Sequence, residues 1–161
     1  MPDREYSLRE ARPEDVPLVL RLVRSLAEYE RLLDQLSATE QDFGRALFGA
    51  CPRAYAVLAW AGEEAVGLAL WYYAFSTFTG GPDLFLEDIF VEPAWRKRGI
   101  GLAMFRYLAR RARAENCRRL EWRVLNWNAP AIDFYRRIGA QPMQDWSVQR
   151  LEGEALAALG D

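Results

Sequence analysis

The feature that most constrains this 161-residue chain lies between positions 84 and 125. Residues 84–91 read as a strand stopped by Pro93, residues 99–116 as a helix, and residues 118–125 as another strand. A strand, a helix and a strand in that order form a crossover, and the two strands it joins must lie parallel. Leu102, Phe105, Leu108, Ala109 and Ala112 supply the apolar face of the helix, with Arg106, Arg110 and Arg113 off it.

Residues 6–11 alternate like a short strand, and Arg12-Pro13-Glu14-Asp15 opens a helix. Val16, Val19, Leu20, Val23, Leu26 and Tyr29 carry its apolar face to about position 33. Thr39-Glu40-Gln41-Asp42 is a capping box before a second helix ending near 48. Strands at 54–61 and 65–75 flank a turn at 62–64, and a Gly/Pro-rich loop spans 76–83. Asn128 caps a helix that runs to Gly139, and residues 146–151 form the last expected strand. The order β-α-α-β-β-β-α-β-α-β predicts an α/β fold: one domain, residues 1–161, with a mixed, mostly antiparallel sheet and helices on both faces.

Composition excludes several functions. There is no histidine, so Ser-His-Asp and Cys-His nucleophilic machinery is excluded, and Cys51 and Cys117 alone cannot make a tetrahedral metal set. Lys97 is the single lysine. Nine arginines join it between Arg96 and Arg123, but a formal net charge of −2 argues against nucleic acid as a partner. The longest apolar run, 65–75, is too short to span a membrane, and Met1-Pro2-Asp3-Arg4-Glu5 lacks the apolar block of a secretory signal. Two cysteines make no disulfide scaffold, so a cytoplasmic protein without metal is expected.

Three segments carry chemistry. Arg96-Lys97-Arg98-Gly99-Ile100-Gly101 lies between a strand and a helix, where first-turn N–H groups and the positive helix end form a phosphate cradle. It lacks the Gly-Lys-Ser/Thr ending of a Walker loop and the earlier glycine of a dinucleotide fingerprint. Leu86-Glu87-Asp88-Ile89-Phe90-Val91 places two acids in an apolar strand, and alternation puts Glu87 and Asp88 on opposite faces. The third, 126–140, is a capped helix containing the pair Phe134-Tyr135.

Together these segments resemble the GNAT superfamily of N-acetyltransferases. Arg96-Lys97-Arg98-Gly99-Ile100-Gly101 is similar to its acetyl-CoA loop, and Asn128 with Phe134-Tyr135-x-x-x-Gly139 to its second cofactor segment. Leu26-Ala27-Glu28-Tyr29-Glu30, Leu86-Glu87-Asp88 and Trp127-Asn128-x-Pro130 look like the diamine and thialysine acetyltransferases. The resemblance implies strands splayed at the acetyl-CoA site, with the pyrophosphate on the backbone from Arg98 to Leu102 and Arg96 and Lys97 beside it. It implies pantetheine along Ile89, Phe90 and Val91, bordered by Asn128 and Ala131. It implies direct acetyl transfer to a primary amine of a small molecule (diamine, polyamine or amino-acid-like), and a homodimer. Glu87 is then the base, directly or through water, and Tyr135 the acid that protonates the departing thiolate. Tyr29, Glu30, Glu87, Asp88 and Trp122 are the implied substrate contacts. Thr77-Phe78-Thr79 replaces the Asp-Pro-Trp of diamine enzymes, and Arg123 adds a charge that repels a polycation, which favours a smaller amine such as a lysine analogue. Protein or peptide acceptors of the same fold, and a non-catalytic acyl-CoA-binding module, remain open.

Overall fold

The computed structural model describes residues 6–160, so Met1–Glu5, where a secretory signal would begin, lies outside the described residues. The chain divides into two compact units, Met1–Arg123 and Val124–Asp161. The first holds β1 (Ser7–Glu10), a 3-10 turn (Pro13–Asp15), α1 (Val16–Tyr29), α2 (Glu40–Phe48), β2 (Tyr55–Ala61), β3 (Glu64–Ser76), β4 (Gly81–Val91), α3 (Ile100–Ala114) and β5 (Leu120–Trp122). Its five strands lie in chain order, β1 to β4 antiparallel and β5 parallel to β4. The crossover expected from the sequence is therefore present.

Helices cover both faces of this sheet. Val19, Leu22, Val23 and Leu26 of α1 and Leu47 of α2 form one core with Ala56, Leu58, Leu68, Leu70 and Phe90. On the opposite face lies α3, where Trp71 meets the Tyr107 ring edge-on at 5.9 Å. A Cβ on Gly67 would stand 3.1 Å from the Phe90 carbonyl and 3.2 Å from Ala59 Cβ, so a glycine there relieves crowding with the strands on either side.

The elements differ from expectation where backbone geometry outweighs pattern. Leu22 joins the α1 core although its spacing had not marked it, and α1 ends at Tyr29 because Arg31 turns left-handed at φ 60°. Ala109 of α3 is exposed; Ile100, Ala103 and Met104 are buried in its place. The expected 76–83 loop shrinks to a four-residue turn closed by Gly80 N–H donating to the Ser76 carbonyl, with Gly80 at φ 69°. Residues 81–83 thus join β4, and buried Asp83 accepts from Arg119 Nε at 2.7 Å.

The second unit holds α4 (Ala129–Arg137) and α5 (Gly153–Gly160). Asn128 caps α4 by accepting from Ala131 N–H, Pro130 sits in its first turn, and Gly139 follows it at φ 93°. The expected strand at 146–151 is absent: those residues form no strand and are exposed. Alternation specifies a strand only where an edge is there to pair with it. After it the Ala/Leu-rich stretch Glu154-Ala155-Leu156-Ala157-Ala158-Leu159 forms α5, as its helix propensity favours.

Leu22 is fully buried against the sheet. Its replacement by alanine is expected to cost ~2–5 kcal/mol, read as a fall in the urea midpoint with unchanged slope.

Candidate active site

The site is built around an irregularity in β4. Asp88 pairs with Leu70 and Leu86 with Trp71, so one residue of β4, Glu87, has no counterpart on β3. This is a β-bulge. Leu70 and Trp71 are neighbours on opposite faces, so Leu86 and Asp88 also face opposite ways. Before the bulge Leu86 faces α3. After it Asp88 and Phe90 face α1, and Ile89 and Val91 turn toward α3.

The bulge overturns the expectation that Glu87 and Asp88 lie on opposite faces. Glu87 pairs with Arg123 at 3.3 Å, and the Arg123 guanidinium lies over the Phe85 ring at 5.3 Å. Phe85 packs on Tyr72 (ring centroids 5.1 Å), on the face opposite Leu86. Glu87 and Asp88 therefore share the α1 face, because the extra residue cancels one step of the alternation.

Glu30, at the C-cap of α1, completes an acidic group with them. Burial raises the Glu30 carboxyl. Asp88 is half-buried, and its carboxyl makes no ion pair or hydrogen bond among the described residues. Burial first, then the negative charges of Glu87 and Glu30, push its carboxyl up to about 7, against a smaller opposing pull from Arg123. The partial negative charge at the C-terminus of α1 adds to this field. Three carboxyl groups in one field attract positive charge.

The turn after β4 has the opposite polarity. A 3-10 turn, Pro93–Trp95, leads into Lys97 at φ 64° and Gly99 at φ 83°. Gly99 caps α3 without a side-chain hydrogen bond, so the first-turn amides of Ile100, Gly101 and Leu102 have no partner within the helix. Ile100 points into the core, so only its backbone is available to a ligand. The three basic residues divide. Arg96 Nε donates to the Val91 carbonyl at 2.9 Å, and its guanidinium lies over Tyr29 at 4.6 Å and Phe90 at 5.6 Å, pinning the turn to α1. Arg98 lies over the Trp95 ring at 4.6 Å, and Lys97 is exposed.

Beside β4, the parallel strand β5 pairs only from Leu120 to Trp122 and stops opposite Leu86, not at 125 as expected. A bulge disrupts ladder pairing and increases twist, and this pairing ends at the residue before it. The outer edge of β4 from Glu87 to Val91 therefore has no strand beside it in this sheet. The resemblance implied splayed strands at the acetyl-CoA site; the structure shows the β4–β5 pairing ending at Leu86 and Trp122.

The implied residues are only partly brought together. Glu30, Glu87 and Asp88 gather on the α1 face, with Tyr29 held there under Arg96. Trp122 goes to the other face, packed on Phe105 at 4.9 Å, and the structure does not bring it to the acids. Phe90 is buried in the α1-side core and its backbone faces Leu68 of β3, so it is the neighbouring Ile89 and Val91 whose backbone faces the outer edge. In the second unit Asn128 is buried and holds Ala131 N–H, and Tyr135 on α4 meets Phe134 edge-on at 5.7 Å. That one of the two acids pairs with an arginine was open from the sequence; that the pair is Glu87 with Arg123 was missed. Its signal is the parallel register: Leu84, Phe85 and Leu86 lie opposite Leu120, Glu121 and Trp122, and one further step sets Glu87 beside Arg123. No group of acidic, cysteine or histidine side chains among the described residues could hold a metal ion, and no described helix is long and apolar enough to cross a membrane.

Asp88 also makes a stability prediction. Its folded pKa lies above the unfolded value, so between those values the folded state binds the extra proton and stability falls as pH rises. Asp88→Asn is expected to stabilise the protein at pH 8 and to remove this share of the decline between about pH 4 and 7, measured by urea unfolding.

Comparison with known proteins places the chain. Residues 21–140 match the acetyltransferase (GNAT) family. A thialysine N-epsilon-acetyltransferase from Bos taurus is 37% identical over 94% of this chain and 95% of its own. An L-ornithine N5-acetyltransferase from Arabidopsis thaliana is 26% identical over 94% of this chain and 86% of its own. Among solved structures, an integron cassette protein from the mobile metagenome of V. cholerae superposes with a TM-score of 0.80 at 26% identity, over 97% of this chain and 98% of that one. An acetyl-transferring enzyme with a bulged β4 and a glycine-capped turn into α3, the chain belongs to the GNAT acetyltransferase family.

Proposed function

We propose that the enzyme moves the acetyl group of acetyl-CoA directly onto a primary amine of a small molecule. One observation carries this reading: three carboxylates collect on β4 and the end of α1, in the same unit as the first-turn amides of α3 that have no partner within the helix. The amides, with Lys97 and Arg98, suit a diphosphate, and the acids suit an ammonium. Along the stretch Ile89-Phe90-Val91, the outward-facing backbone of Ile89 and the Val91 N–H suit a pantetheine arm that hydrogen-bonds like a strand. The relatives acting on thialysine and ornithine support an amine acceptor.

The attacking amine, with a pKa of ~10 for an alkylamine, must lose a proton. Glu87 is engaged by Arg123, whereas Asp88 is the member of the pair whose carboxyl titrates near neutrality. The reading therefore assigns the proton to the Glu87–Asp88 pair, with Asp88 holding it at neutral pH and Glu87 fixing the ammonium or an intervening water. Tyr135 protonates the leaving thiolate, an assignment that rests on the family resemblance. Holding amine and thioester together supplies most of the acceleration. The same resemblance carries a homodimer, and the two cysteines, too few for a disulfide scaffold, carry a cytoplasmic location.

The test is thiol release from acetyl-CoA with a panel of amino acids, diamines, polyamines and peptides. The reading expects release with small amines, and release with peptides alone overturns it. Tyr135→Phe is expected to lower kcat by tenfold or more with acetyl-CoA affinity nearly intact. The acid limb of kcat/KM is expected near pH 7, where the base loses its proton. Asp88→Asn removes that limb, and Glu87→Gln moves it to lower pH by taking away a charge that raises Asp88. A limb untouched by both substitutions rules the pair out.

A further inference from the structure

We propose that Arg123 binds a carboxylate of the acceptor, so that the enzyme selects an amino acid with an amine-terminated side chain over diamines and polyamines. The inference rests on the reading above and names its substrate class.

A site meant only for a polycation has no use for a fixed cation beside its acids. Arg123 is nevertheless held there from two sides. The guanidinium carbon lies over the Phe85 ring at 5.3 Å, and Nη2 donates to Glu87 at 3.3 Å. Among the described residues that is its one hydrogen bond, so Nε and Nη1 keep their N–H groups for a ligand. Its side chain is 49% exposed and that of Glu87 43%, and an ion pair this open adds little to stability. A guanidinium fixed on a ring with one edge open is suited to bidentate recognition of a planar carboxylate.

The charges around it are ordered. Arg123 lowers the carboxyl of Asp88, so the two lie within one electrostatic neighbourhood. Asp88, Glu30 and Glu87 form its negative part and Arg123 the positive part, all on the α1 face of β4. A side-chain ammonium at Asp88 leaves the other end of an amino acid to place its carboxylate against the open edge of Arg123. A diamine of the same length presents a second ammonium to that cation and is repelled.

The experiment compares each amino acid with its decarboxylated counterpart: lysine with cadaverine, ornithine with putrescine, and thialysine with the matching thioether diamine, all by thiol release from acetyl-CoA. The best amino acid is expected to exceed its counterpart at least tenfold in kcat/KM. Arg123→Met should reduce that ratio by tenfold or more, and Arg123→Lys should retain part of it. Circular dichroism checks that the variants fold. Should Arg123→Met fail to fold, the methyl ester of the best amino acid tests the unaltered enzyme, which must lose the same preference when the carboxylate charge is removed. Equal use of acids and diamines, or an equal loss for both in Arg123→Met, overturns the role of Arg123 and leaves the proposed function standing. No transfer to any amine overturns the proposed function and this inference with it.

Discussion

The single unpaired residue in β4 organises the first unit. Before it, Leu84 and Leu86 are buried under α3; after it, Phe90 is buried against α1. Without the bulge a regular strand would keep even-numbered residues on one face throughout, and Phe90 would leave the α1 core that it shares with Leu22, Leu26 and Leu68. The hydrophobic pattern on either side thus requires the irregularity. One consequence is chemical, because Glu87 and Asp88 come to one face. Another is topological, because pairing with β5 ends at Leu86 and frees the edge of β4 beyond it.

Two helix ends of opposite sign then flank the same half-strand. The C-terminus of α1 brings partial negative charge and Glu30 toward Asp88, and the N-terminus of α3 brings partial positive charge to the turn at Gly99. Arg96 separates the two fields. Its side chain ties the Val91 carbonyl to the Tyr29 ring, so its charge serves the join between β4 and α1. On the proposed reading this leaves Lys97 and Arg98 as the cations for the diphosphate, acting with backbone amides whose positions are fixed by the helix.

The parts of this arrangement set by local chemistry were legible in the sequence. The turn 96–101 announced itself through glycines and basic residues placed between an apolar strand and an amphipathic helix, and the Thr39 and Asn128 caps read directly. Face assignment at Glu87 and Asp88 did not read correctly, since alternation assumes an unbroken ladder and a bulge is a property of two strands in register. The Glu87–Arg123 pair and the brevity of β5 were hidden for the same reason: both follow from where β5 meets β4. Residues 146–151 failed in the opposite direction. Trp146, Val148 and Leu151 alternate as a strand would, but no described strand pairs with them, and the backbone takes no sheet form.

A chain without histidine has few ways to titrate a proton near neutrality, and the bulge supplies one. A carboxyl ordinarily titrates near pH 4, far too acidic to compete for an ammonium proton at pH 7. Moving Asp88 up requires burial together with neighbouring negative charge, and a regular strand would have sent its nearest acid, Glu87, to the other face. Placing Glu87 on the same face supplies the largest of the two charge contributions that raise Asp88, and Arg123, held beside Glu87, opposes them. Arg123 thereby limits how far Asp88 rises, so that on the proposed reading the base remains available at neutral pH instead of staying protonated.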